Sequence, residues 1–258
     1  MYPDEIAFGF GLYEILIVIG IIACFLVFRF YLTDKDMSPK VYNFYLLVSI
    51  SSIILGFFFA AVFQSLFTYF QTGHFSLFES GITFYGGLFG GIIAFLILLL
   101  GVGGLLFKEK EHLKAFRAVL SVAPCCVTVA HAFGRLGCLF AGCCHGAISD
   151  SGLYMYVDEI GAYAKCVPLQ LFEAIFLFIL FGVLTFLYFK KIHYEAEVYC
   201  ISYGVWRFII EFFRTDDRGQ LIKGVLTPSQ GFAILFVLAG VALFVYRFLT
   251  INKHKTPR

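Results

Sequence analysis

Seven long apolar runs constrain this chain more than any other feature. They cover 6–32, 41–70, 81–107, 115–140, 168–189, 198–213 and 230–251. A helix crossing a hydrocarbon core needs roughly 20 such residues. Hydrophobic residues fill 60% of the 258 positions and charged ones 14%, where an ordinary soluble domain carries about 25% charged. That composition excludes disorder, a disulfide-rich secreted scaffold and a nucleic-acid-binding arm, so no nucleic acid partner is expected. The expected fold class is all-α: a polytopic membrane protein of seven transmembrane helices. No long polar linker splits the chain, so 1–258 reads as one integral membrane domain. The first run is expected to stay in place rather than be cleaved as a signal, because its flank is acidic (Asp4, Glu5) and it is too long for a signal core.

The placement of Lys and Arg orients the spans. Of the 19 basic residues, 13 fall on one face, among them Arg29, Lys40, Lys108, Lys110, Lys190, Lys191 and Arg247. By the positive-inside rule that face is cytoplasmic, which puts the N-terminus outside and the C-terminus inside. The two long outer connections, 146–167 and 215–229, are expected to form a small extracytoplasmic cap.

Charges inside a membrane are costly and mark function. In the sixth run Tyr203, Arg207 and Glu211 recur every four residues, so they share one helix face. At 1.5 Å per residue Arg207 falls near mid-bilayer. Arg135 follows 17 uncharged residues after Arg117 and falls near the outer edge of the core. Tyr13 and Glu14, Tyr85, Gln170 with Glu173, and Arg214 reach the same outer third. Arg207 and Glu211 could pair simply to fold the bundle, and boundary arginines could snorkel. The convergence of so many polar groups favours a polar cavity open towards the outer leaflet. Guanidinium matches phosphate oxygens bidentately, so the natural anion at this depth is a phospholipid headgroup.

Two further features stay open at this level. Gly86 with Gly90, and Gly87 with Gly91, are small-xxx-small pairs that serve either helix packing or close backbone approach to a ligand. Cys138, Cys143, Cys144 and His145 gather at the outer end of the fourth run, with Cys166 in the adjoining loop. Plain packing or unpaired thiols, a disulfide through Cys166 and a zinc site are the alternatives. The spacing fits no standard finger, so no metal is assigned.

In order along the chain, Tyr85-Gly-Gly-Leu-Phe-Gly-Gly, Gly134-Arg-Leu-Gly-Cys-Leu-Phe-Ala-Gly-Cys-Cys-His-Gly146, Pro168-Leu-Gln-Leu-Phe-Glu173, Tyr203-Gly-Val-Trp-Arg-Phe-Ile-Ile-Glu-Phe-Phe-Arg214 and Leu226-Thr-Pro-Ser-Gln230 resemble motifs of the prolipoprotein diacylglyceryl transferases. The resemblance spans all seven runs. It implies a bacterial inner-membrane enzyme that moves the diacylglyceryl group of phosphatidylglycerol to the lipobox cysteine in a prelipoprotein signal peptide, releasing glycerol phosphate. It implies no cofactor. Carried over by position, the catalytic set is Arg135, Arg207, Glu211 and Tyr85. The substrate-binding set is Tyr13, Gly86, Gly87, Gly134, Gly137, Cys138, Cys143, Gly146, Gln170, Tyr203 and Arg214.

The departures fall on the acceptor side. Tyr85 stands where the family has a His proposed as catalytic, Cys138 where it has Asn and Cys143 where it has Glu. Tyrosine, with a reference pKa of about 10, is a poor base near neutrality. His131 and His145 are the imidazoles that could replace the missing one. Three readings follow: a diacylglyceryl transferase with this or another acceptor, a non-catalytic anionic-lipid-binding protein, and a membrane thiol or metal protein.

Overall fold

The computed structural model describes residues 11–32, 37–77, 83–215 and 226–253. It is mostly helical: α1 Leu12–Leu32, α2 Pro39–Thr72, α3 Phe84–Ile97, α4 Gly103–Leu106, α5 Glu111–Ala141, α6 Leu169–Phe189, α7 Glu195–Ile210 and α8 Pro228–Lys253. A π-helical turn, Leu98–Val102, joins α3 to α4. Among the described residues, six helical stretches are long and apolar enough to cross a membrane: Leu12–Leu32, Pro39–Phe70, Gly86–Leu106, Glu111–Ala141, Leu169–Phe189 and Pro228–Thr250. Their outward faces are apolar, with Phe30, Phe70, Leu105 and Phe186 exposed, as lipid contact requires.

The run expected as a seventh span behaves differently. α7 has 16 residues, about 24 Å of helix against a core of about 30 Å. It tightens into a 3-10 turn, Glu211–Phe213, and buries Glu195, Glu197, Arg207 and Glu211. The fold is mostly helical, as expected, with one addition in strand form. Residues Ile148–Val157 (β1) and Ala162–Cys166 (β2) form an antiparallel hairpin inside the 146–167 connection. It has an apolar face, because Met155 and Val157 of β1 pack with Cys166 of β2 and Leu139 of α5.

By backbone contacts the chain divides into two compact units, one of residues 34–118, the other of 1–33 with 119–258. In the first, α2 is capped at both ends. Ser38 Oγ accepts from Val41 N at 3.4 Å, Pro39 opens the helix, and Gly73 closes it at φ 75° with its N–H donating to Tyr69 O; each residue type suits its place. The glycines of α3 lie against α2. A methyl on Gly86 would sit 2.6 Å from Phe63 Cβ, one on Gly87 3.2 Å from Ala60 Cβ, and one on Gly90 would overlap Phe59. Absence of side chains is what lets these backbones approach. Near the end of the unit Tyr45 donates to His112 O at 2.7 Å, and Phe44 and Phe107 surround the His112 ring.

In the larger unit α7 and α8 pack through Gly204 and Gly240, whose missing side chains make room for Val237 and Ile201. Glu197 near the start of α7 pairs with Arg247 of α8 at 3.2 Å. Roughly 15 Å further along α7 lies the polar network that sets the unit apart.

Candidate functional site

Glu173 is the centre of that network. It lies one turn into α6, only 1% exposed, in a helix whose other residues are almost all apolar. Its Oε2 is 3.0 Å from Arg135 Nε of α5 and 3.9 Å from Arg207 Nη1 of α7. Its Oε1 accepts from Tyr203 OH at 3.2 Å and lies 4.0 Å from His131 Nε2. Three helices are thereby tied through one carboxylate. A lone buried carboxylate is expensive, and two guanidinium groups are what make this one tolerable.

Arg207 carries the second half of the network. Its Nη2 donates to Ser229 Oγ at 3.0 Å and pairs with Glu211 Oε2 at 2.8 Å, one helical turn on. Glu211 Oε1 accepts from Thr227 Oγ1 at 2.9 Å. Thr227 and Gln230 close the start of α8 reciprocally, Thr227 N donating to Gln230 Oε1 at 3.1 Å and Gln230 N to Thr227 Oγ1 at 3.2 Å. Two donors remain unspent: Arg207 Nη1 and Arg135 Nε are buried without a hydrogen-bond acceptor in line with them. Arg135 Nε thus has an ion-pair partner but no aligned hydrogen bond. The aromatic wall of the network is Tyr203, with His131 edge-on at 5.1 Å and Tyr199 stacked at 5.8 Å.

Beyond Arg135 the helix stops in a Schellman turn. Gly142 takes φ 77°, and Cys143 N donates back to Cys138 O at 3.2 Å, the six-to-one bond of that motif. A side chain at Gly142 would meet Tyr156 O at 2.5 Å, so the hairpin backbone seats directly on the helix end. The turn brings the sulfurs of Cys138, Cys143 and Cys144 to within 4.8 Å of one another. Hydrogen bonds from Cys138 and Cys143, and then the Arg214 guanidinium, hold the Cys144 thiol well below its ordinary range. Hydrogen bonding with Cys138 and Cys144 pushes Cys143 up. None of the eight cysteines is in a disulfide. Cys166 is sealed in the hairpin core, where burial raises its thiol, and does not join the cluster.

The other residues singled out in the sequence fall as follows. Tyr13 lies over Gly137, where a methyl would be 3.1 Å from its ring. Gly134, beside Arg135, faces open space. Gly146 pairs with Arg214 in an isolated bridge and donates to Val167 O. Gln170 donates from Nε2 to Cys143 O at 2.8 Å, leaving Oε1 buried without a partner. Gly86 and Gly87 are taken up by packing against Phe63 and Ala60. Tyr85 lies in the first turn of α3, and its side chain is outside the described residues. Of the two histidines, His131 is in the network, whereas His145 is buried with Nδ1 2.8 Å from Gly146 O.

Glu173, Thr227 and Ser229 belong to the network without having been assigned a role from the sequence, whereas His131 had been named there only as an imidazole that could replace the missing one. Glu173 had left a signal: a carboxylate in an apolar span has to be paired. Thr227 and Ser229 stood within one of the resembling motifs but carried no sign of a role, since hydroxyls at a helix start are ordinary caps.

A family model described as prolipoprotein diacylglyceryl transferase matches residues 5–246. Among curated relatives, phosphatidylglycerol–prolipoprotein diacylglyceryl transferase 2 of Clostridium perfringens is 34% identical over 187 residues, covering 69% of this chain and 65% of that protein. The enzyme of Clostridium tetani is 30% identical over 64% of each chain. The enzyme of Francisella tularensis subsp. tularensis is 29% identical over 94% of this chain and 91% of its own length. The match thus spans just under two thirds of both Clostridium proteins and nearly all of the Francisella one.

Proposed function

The chain belongs to the prolipoprotein diacylglyceryl transferase family, and from that premise we propose that it transfers the diacylglyceryl group of phosphatidylglycerol to a thiol, the lipobox cysteine in a prelipoprotein signal peptide. One observation carries this reading: Arg135 and Arg207 meet at Glu173, and Arg207 Nη1 is buried with its hydrogen-bonding capacity unspent. A buried donor without an acceptor costs about 1–3 kcal/mol, and a phosphate oxygen is the acceptor that relieves it. The open space at Gly134 leaves room for a headgroup beside Arg135.

In the proposed reaction the acceptor thiol gives its proton to His131. The sulfur attacks the glyceryl carbon bonded to the phosphate. The sulfur–carbon bond forms, the carbon–oxygen bond breaks, and glycerol phosphate leaves with the electron pair. Arg135 and Arg207 hold the charge that grows on the leaving group, the kind of fixed stabilisation worth about 10²–10³ in rate per donor. Glu173, Glu211 and Tyr203 orient the guanidinium groups; Ser229 and Thr227 hold Arg207 and Glu211 in turn. The same reading takes α7 as the seventh span, the N-terminus as outside and the C-terminus as inside a bacterial cytoplasmic membrane, and the hairpin as part of an extracytoplasmic cap; of the other expected cap segment, 215–229, residues 216–225 lie outside the described residues.

The test is mass spectrometry on protein reconstituted with phosphatidylglycerol and a lipobox peptide, with Arg135→Ala as control. The expected result is a peptide heavier by one diacylglyceryl group, absent with the variant. Release of glycerol phosphate without that product would move the acceptor elsewhere. A second reading, anionic-lipid binding without conversion, draws on one observation: each guanidinium already faces a carboxylate. It predicts retained lipid and neither product.

A further inference from the structure

Transfer to a thiol requires the thiolate, and the position that carries a His in the family is Tyr85 here. The structure offers another means of making a thiolate. We infer that Cys138, Cys143 and Cys144 form a three-thiolate site for one thiophilic d10 cation, zinc(II), whose open fourth position takes the acceptor thiol.

The geometry suits the ion. Zinc–sulfur bonds of about 2.3 Å in a tetrahedron set sulfurs roughly 3.8 Å apart. The three sulfurs lie within 4.8 Å of one another, so closing around an ion takes a shift of about 1 Å, which side-chain rotation can supply. The backbone is already arranged for it. Gly142 at φ 77° and the Cys143 N to Cys138 O bond turn the chain back on itself, and Cys144 sits at φ 65°, a conformation uncommon for a residue with a side chain. Gln170 holds the Cys143 carbonyl at 2.8 Å, and Asp158 N holds the Gly142 carbonyl at 3.2 Å. Such outer contacts are what fix ligands in metal sites.

Burial and charge agree. The three thiols are half-buried and reachable, whereas Cys166 nearby is fully enclosed. Three thiolates and one zinc ion leave a net charge of −1. Arg214 donates to Cys144, and Arg135 lies three residues before Cys138 on the same helix, so cationic groups are at hand to offset it. A cluster that served only packing would be enclosed as Cys166 is, with no guanidinium against it. Three protein ligands and one vacant position are the pattern of catalytic rather than structural zinc.

A thiol bound at that position would be deprotonated by the metal, its proton released to water. The metal-held sulfur then attacks the glyceryl carbon as described above; no electrons are transferred and no other reactant is needed. This second step rests on the proposed transfer, whereas binding of the ion does not.

The full-length protein in detergent, reduced and then titrated with zinc chloride alone, is expected to retain one zinc per chain after desalting. Cobalt(II) in its place should give the sulfur-to-metal charge-transfer and visible bands of a tetrahedral thiolate site. Cys138→Ser and Cys143→Ser, made singly, should weaken binding by more than about 100-fold, beyond what outer-shell changes cause; Cys200→Ser on α7 should not. No zinc retained, or equal retention by the wild type and both cluster variants, overturns the site. Addition of a free thiol peptide should shift the cobalt bands; bands that stay unchanged overturn the open position. If the bands shift and no diacylglyceryl peptide forms under any condition, the metal site stands and the transfer reading falls.

Discussion

Glu173→Gln is the most informative single change, because it removes one charge and almost no volume. The carboxylate faces Arg135 at 3.0 Å and Arg207 at 3.9 Å. At an effective dielectric of about 20 these are attractions of roughly 5 and 4 kcal/mol, opposed by the cost of burying the charges. The two arginines are not equally exposed to the loss. Arg207 keeps Glu211 at 2.8 Å, whereas Glu173 is the one carboxylate paired with Arg135 among the described residues. The substitution therefore strands Arg135. Breaking a buried pair by removing one partner costs about 3–5 kcal/mol. At about 2–4 °C per kcal/mol for a chain near this size, the unfolding midpoint should fall by roughly 6–20 °C. Trp206 is the chain's one tryptophan, stacked on Phe176 at 4.4 Å, so its fluorescence in detergent reports unfolding of α7 and α6. Adding Arg135→Gln to Glu173→Gln should recover much of the loss; adding Arg207→Gln should not. An unchanged midpoint in Glu173→Gln, or equal rescue by either arginine change, would refute the assignment of Glu173 as the counter-ion of Arg135.

Three other outcomes follow from the same contacts. Arg207→Lys keeps the charge but cannot span Ser229, Glu211 and an incoming phosphate at once, so peptide transfer should drop about 10²–10³-fold with the midpoint little changed; near-normal turnover would count against a phosphate role. Gly90→Val forces a side chain into Phe59 of α2 and should destabilise by at least about 1–3 kcal/mol, while Gly101→Ala, with open space around it, should be neutral in the same thermal assay. Gly142→Ala combines a left-handed φ of 77° with a contact of 2.5 Å to Tyr156 O, so it should cost well over the roughly 1 kcal/mol expected at Gly161, where φ is 60° and nothing lies within 4 Å.

The apolar runs and one helix face were legible in the residues themselves. Both depend on local periodicity: twenty apolar residues can only be satisfied as a helix in lipid, and residues four apart on a helix must be neighbours, as Arg207 and Glu211 are. The small-residue pairs of α3 were legible only as two alternatives, helix packing or approach to a ligand, and the side chains of α2 against them decided for packing. The hairpin was not legible. Ile148-Ser-Asp-Ser-Gly carries no alternation of apolar and polar residues, and the buried positions Met155 and Val157 appear only in the second half of β1.

What the sequence determined by itself is the set of elements: helices of membrane length, a polar face on α7, and an outer end of α5 rich in thiols. Tertiary structure decided which of these residues act together. Glu173 lies 38 positions from Arg135 and 34 from Arg207 in the chain, and no local period relates them; they meet because three helices must bury their polar groups against one another or not at all. Cys138 and Cys143 would point away from each other on a continuing helix, five residues apart. They converge because Gly142 reverses the chain and the hairpin, seated over that glycine, leaves the turn no other course.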